Sequence, residues 1–226
     1  MGEWNLPGLI DHTVLRPDAG KADILRLCQE AKEYGFTVIF VPPCYVDEAV
    51  EAVAGTAIRV GIPIGFPLGG HTTSTKVAEA VEAVARGARV LDMVINVSRL
   101  KSGDQDYVRR DIAEVVQATP GVEHKVIVET CYLSQEEKRT ACLLVVEAGA
   151  DYVKTSTGFG AVGATVEDVR LLKETVAGRA KVKASGGIRD WKTTQAMLDV
   201  GADRIGTSAS LRILDEWKTS GGAVRA

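Results

Sequence analysis

What the chain lacks narrows where it works. No apolar run in its 226 residues approaches the ~18 needed to cross a membrane, and Met1-Gly2-Glu3-Trp4 has neither the basic start nor the apolar stretch of a signal peptide. Four cysteines (Cys28, Cys44, Cys131, Cys142) show no CxxC pair and no zinc spacing, so free thiols in a reducing cytosol are expected. A net charge of −3, with no dense Lys/Arg run, argues against a nucleic-acid partner. Aromatics are sparse at 5%, and Trp4, Trp191 and Trp217 are scattered as packing residues are. No GxGxxG follows the first strand-like run, which counts against a doubly wound open sheet. No Pro/Ser-rich linker divides the chain, so one domain over 1–226 is expected, with 218–226 as a mobile tail.

What is present is a globular composition, 46% apolar and 25% charged, in which short β-branched runs alternate with longer amphipathic ones. Strands are predicted over 9–12, 37–41, 59–64, 90–95, 125–129, 152–154, 181–184 and 204–206. Helices are predicted near 21–34, 45–53, 74–86, 106–118, 134–147, 166–176, 190–200 and 208–217. Ser134 and Glu137 form a capping box at the start of one of them. Residues 147–156 read like 199–208, an offset of 52 that also separates Gly35 from Gly87 and is about two βα units. Eight strands and eight helices predict an α/β fold, a single-domain (β/α)8 TIM barrel.

In such barrels the active site lies where the strands end and the βα loops begin. Lys154 closes a short apolar strand and precedes Thr155-Ser156-Thr157-Gly158. Lys183 interrupts another and precedes Ser185-Gly186-Gly187. Lysine is almost never fully buried alone, and burial lowers its pKa, as does a second ammonium nearby. An amine neutral near pH 7 is what Schiff-base chemistry requires. Asp92 stands in an apolar run, and period-two alternation puts Leu91, Met93 and Ile95 toward the helices and Asp92 toward the barrel interior. A structural ion pair is the plain reading of a buried carboxylate, but two lysines and glycine-rich loops beside it favour a catalytic site.

The turns at Gly186-Gly187 and at Gly206, Thr207 and Ser208 follow strands seven and eight, where many barrels bind phosphate, although ordinary tight turns would read the same. Asp11 and Cys44 fall at the ends of strands one and two and are expected among the substrate contacts, as are Thr157 and Gly158. No base near Cys44 or Cys131 marks either as a nucleophile. His71 has no second histidine nearby and reads as a solvated loop residue.

Seven stretches together resemble the deoxyribose-phosphate aldolase family: Ile10-Asp11-His12-Thr13, Gly65-Phe66-Pro67-Leu68-Gly69, Leu91-Asp92-Met93-Val94-Ile95-Asn96, Lys101-Ser102-Gly103, Val153-Lys154-Thr155-Ser156-Thr157-Gly158-Phe159, Lys183-Ala184-Ser185-Gly186-Gly187-Ile188-Arg189 and Gly206-Thr207-Ser208. The resemblance implies a class I aldolase that cleaves 2-deoxyribose 5-phosphate to glyceraldehyde 3-phosphate and acetaldehyde, with no metal or other cofactor. It implies that Lys154 forms the imine, that Lys183 perturbs it and relays protons, and that Asp92 takes part in proton transfer. The loops at Gly158, Gly186-Gly187 and Gly206 to Ser208 would hold the sugar phosphate. A homodimer or homotetramer is implied as well. Two departures are visible. Phe159 stands where some members carry lysine, and no tyrosine follows Tyr152, whereas some members end in one. Another class I sugar-phosphate aldolase, or a phosphosugar-binding barrel without catalysis, remains the alternative.

Overall fold

In the computed structural model, which describes residues 4–222, eight parallel strands close on themselves in sequence order. They are β1 (Ile10–Thr13), β2 (Val38–Phe40), β3 (Arg59–Ile64), β4 (Val90–Val94), β5 (Glu123–Ile127), β6 (Tyr152–Lys154), β7 (Lys181–Ser185) and β8 (Arg204–Thr207). Ten α-helices lie among the described residues: α1 (Leu6–Leu9), α2 (Lys21–Tyr34), α3 (Val46–Ala52), α4 (Thr73–Ala85), α5 (Val97–Lys101), α6 (Gln105–Ala118), α7 (Gln135–Glu147), α8 (Val166–Val176), α9 (Trp191–Asp199) and α10 (Ser210–Thr219). The eight expected helices are all present. The additional α1 and α5 are too short for a 3.6-residue apolar period to register.

Local chemistry sets the element ends. Side chains of Thr72, Asn96, Asp104, Ser134, Thr165 and Asp190 accept backbone N–H groups at six helix starts, and Ser134 with Glu137 completes the expected capping box. Helix α2 stops because Gly35 takes a left-handed conformation (φ 77°), which turns the chain into β2. At the carboxyl end, α10 runs through Lys218 and Thr219, which belong to the expected tail, and Gly222 N–H bonds back to Trp217. The rest of that tail, 223–226, lies outside the described residues.

Two kinds of interior result. Between sheet and helices lies one large apolar layer, to which Leu91, Met93 and Ile95 contribute as the alternation predicts. Inside the barrel, Val38, Phe40 and Val90 form a small separate cluster. Gly61 makes room for it, since a Cβ there would sit 2.6 Å from the Phe40 ring. Beside it the barrel interior also holds buried charges, among them Asp11, Asp92, Lys125, Lys154 and Lys183.

Candidate active site

The strand register brings the charges together. Asp92 on β4 pairs with Lys125 on β5, and Lys154 on β6 pairs with Lys183 on β7. Lys154 and Lys183 thus stand side by side and Asp92 reaches them across the barrel interior: the Lys154 Nζ lies 2.6 Å and the Lys183 Nζ 2.7 Å from the same oxygen, Asp92 Oδ2. Lys183 Nζ also contacts Asp11 Oδ2 at 2.5 Å, and Arg204 donates to Asp11 Oδ1 at 3.0 Å. Lys125, the register partner of Asp92, lies 3.9 Å from Asp92 and 3.7 Å from Asp11. The Phe40 ring packs under all three ammonium groups, closest to Lys183 at 4.1 Å.

These contacts divide the two catalytic candidates. Burial pushes the Lys154 amine down, Asp92 pulls it up and Lys183 pushes it down again, leaving it at about 8. Burial acts on Lys183 equally, but two carboxylates, Asp11 and Asp92, outweigh it and raise its pKa above the ordinary lysine value. Burial alone would raise the Asp92 carboxyl. Lys154, Lys183 and Lys125 more than reverse this, so it stays ionised well below the usual carboxylate range. The result is a readily neutralised amine, a persistent cation and a persistent anion within hydrogen-bonding distance.

Above them opens a cleft of about 670 Å³ at the carboxyl ends of the strands, with Lys154 and Lys183 in its floor. Thr157, Gly158, Gly186, Gly187, Gly206 and Ser208 all line it, as the sequence reading expects, and Phe159 is 52% exposed on its wall. The Asp190 carboxylate occupies the amino end of α9, whereas no side chain caps α10, where Ser208, Ala209 and Leu211 face the cleft. An anion seated there would meet unpaired backbone N–H groups and the positive end of a helix dipole. His12 braces this start, bonding Ser210 Oγ through Nδ1 and Glu30 through Nε2, both at 2.9 Å.

Two expected contacts lie elsewhere. Asp11 is fully buried beneath the cleft, because Arg204 and Lys183 hold its carboxylate inside the barrel. Cys44 sits on a 3-10 turn (Pro43–Tyr45) that swings it outward, exposed, to a separate small cleft beside Glu79 and Arg86. His71 is exposed, as expected. Lys125 and Arg204 escaped the sequence reading. Alternation could have flagged Lys125, because Val126 and Val128 on the opposite face join the apolar layer under the helices.

A closed (β/α)8 barrel with an ionised cleft at the carboxyl ends of its strands places the chain in the class of TIM-barrel enzymes. A family model described as DeoC/LacD family aldolase matches residues 8–217. The deoxyribose-phosphate aldolase of Caldanaerobacter subterraneus subsp. tengcongensis is 53% identical over 220 residues, spanning 96% of this chain and 95% of the relative. That of Brevibacillus brevis is 52% identical over 217 residues, spanning 96% and 98%. The tetrameric deoxyribose phosphate aldolase structure from Aeropyrum pernix matches with a TM-score of 0.87 at 32% identity, over 95% of this chain and 92% of that one. The chain belongs to the DeoC/LacD family of aldolases, and it is a carbon–carbon lyase.

Proposed function

We propose that the chain catalyses reversible cleavage of 2-deoxy-D-ribose 5-phosphate to D-glyceraldehyde 3-phosphate and acetaldehyde, with Lys154 as the imine-forming residue. The observation that carries this is the Lys154 amine, held at about 8 on the cleft floor while its neighbour Lys183 is raised. Neutral Lys154 adds to the substrate aldehyde carbon, and loss of water gives a protonated imine. The C3 hydroxyl then gives up its proton as the C2–C3 bond breaks, and that bond's electron pair flows to the iminium nitrogen. Protonation of the resulting enamine at C2 and hydrolysis release acetaldehyde and regenerate the amine. Asp92 and Lys183 flank the nitrogen as proton acceptor and donor, work typically worth 10²–10⁴-fold in rate. The glycine turns and the open start of α10 suit the phosphate, whose binding energy can also be used at the reacting carbon.

The substrate assignment draws on the names of the relatives together with this anion-suited wall. A role in deoxyribose phosphate catabolism in the cytoplasm and a homodimeric or homotetrameric state belong to the same proposal. They are supported by the tetrameric Aeropyrum pernix structure and by the lack, among the described residues, of any helix long and apolar enough to cross a membrane. Borohydride reduction in the presence of acetaldehyde tests the chemistry. The parent is expected to gain a mass adduct that Lys154→Leu lacks, and an adduct that persists in Lys154→Leu would overturn the assignment. Comparing acetaldehyde with dihydroxyacetone as donor separates this reaction from that of another sugar-phosphate aldolase.

A further inference from the structure

We propose that Glu129 is a positioning residue whose carboxylate sets the backbone of the loop carrying Thr157, Gly158 and Phe159 into the cleft. The inference rests on the reading of that loop as part of the substrate site. Glu129 follows β5 with φ 53° and ψ 67°, a left-handed conformation that an L residue adopts under strain. Such strain persists where the surroundings over-determine it, and it clusters at functional sites.

The surroundings do so here. Val128 N–H donates to Lys154 O at 2.9 Å, and Thr130 N–H donates to Thr155 O at 3.0 Å, which clamps Glu129 from both sides. Its side chain, 3% exposed, then reaches two residues further along the neighbouring chain. The Thr157 N–H donates to both carboxylate oxygens, at 3.3 and 3.2 Å, and the Thr157 hydroxyl donates to Oε2. The same hydroxyl oxygen accepts the Phe159 N–H at 3.0 Å. One carboxylate thereby orients three consecutive residues that begin three positions after Lys154.

Gly160 closes over the arrangement. A Cβ there would lie 2.8 Å from Cys131 Sγ and 3.2 Å from Glu129 Oε1. The loop passes over Glu129, and the cleft lies on the other side, so the negative charge works from behind the loop and does not face an incoming phosphate. A left-handed glycine would satisfy the backbone at this position, yet only a long acceptor side chain can hold Thr157. That distinction separates positioning from simple chain reversal.

The test compares the full-length parent with Glu129→Gly and Glu129→Gln, using 2-deoxyribose 5-phosphate kinetics, Tm and the borohydride-trapped acetaldehyde adduct. Glycine accepts the left-handed backbone freely but leaves the Thr157 donors unpaired, whereas glutamine keeps one neutral acceptor. KM is expected to rise about threefold in Glu129→Gln and about tenfold in Glu129→Gly, as for loss of a charge-assisted hydrogen bond. Saturated kcat and adduct yield should stay within about twofold, because Lys154 is untouched. A graded rise in KM at constant kcat supports the role, and Glu129→Gln carries the test alone if Glu129→Gly does not fold. Unchanged KM, or kcat falling in step with Tm, overturns it while leaving the imine assignment intact. A parent that traps no adduct sinks the imine reading, and this inference with it.

Discussion

Whether Lys154 can act as a nucleophile is decided by a contest between burial and two charged neighbours. At an ordinary pKa of about 10.4, roughly 0.04% of the amine would be neutral at pH 7. At about 8 the neutral share is roughly 9%, a gain of more than two orders of magnitude. Burial provides most of the lowering, Lys183 adds to it, and Asp92 opposes both. The two neighbours can therefore be separated by sign. In Lys183→Leu the repelling cation is gone and Asp92 is no longer shared, so the alkaline-rising limb of kcat/KM, expected near pH 8, should move to higher pH. In Asp92→Asn the attracting anion is gone, so the limb should move to lower pH even as the rate falls by about 10²-fold through lost proton transfer. A pH–rate profile of each variant reads both. Shifts in the same direction would mean that the limb does not report Lys154.

At the scale of elements, the cleft wall depends on how closely the loops after β6 and β7 approach. Gly163 lies against Gly186: a Cβ on Gly163 would fall 2.1 Å from the Gly186 carbonyl oxygen, and Ala164 N–H donates to the carbonyls of Ser185 and Gly186. Gly163→Ala must therefore push apart the two loops that flank the cleft. An overpacking cost of about 1–3 kcal/mol is expected, with a rise in KM for the phosphorylated sugar and a smaller one for free deoxyribose. Denaturant unfolding and kinetics with both sugars check this, and equal effects on the two substrates would remove these loops from phosphate recognition. The βα alternation and the helix cap at Ser134 were legible in the sequence, because apolar period and capping chemistry are local. So were Lys154, Lys183 and Asp92, each a charge inside an apolar strand. The hold of Glu129 on Thr157 was not, since it and the left-handed backbone behind it exist only once β5 and β6 are paired. Cys44 was misplaced because a 3-10 turn, invisible to periodicity, rotates it away from the cleft.

Across the whole molecule, the barrel interior carries a charge imbalance that pairwise reading conceals. Lys125, Lys154, Lys183 and Arg204 are buried there against the buried carboxylates Asp11 and Asp92, with the half-buried Glu123 contacting Lys125. Excess positive charge in a poorly solvated interior favours release of a proton, and the lowered amines are Lys154 and Lys125. The Lys154 amine is thus a destabilising element that the fold tolerates, a trade-off common at active sites. Its pKa falls from an ordinary 10.5 in the unfolded chain to about 8 in the fold, which at neutral pH corresponds to roughly 3 kcal/mol. The attraction of Asp92 is already included in that shift. The sign follows: the cost is fully present below pH 8, where both states hold the proton, and it fades as pH rises toward 10.5. Lys154→Met, which keeps the bulk and loses the charge, should therefore be inactive yet more stable than the parent at pH 7, with the gap narrowing by pH 10. Urea unfolding of both proteins at the two pH values measures this. A Lys154→Met protein less stable than the parent at pH 7 would show that Lys154 holds the barrel together rather than straining it.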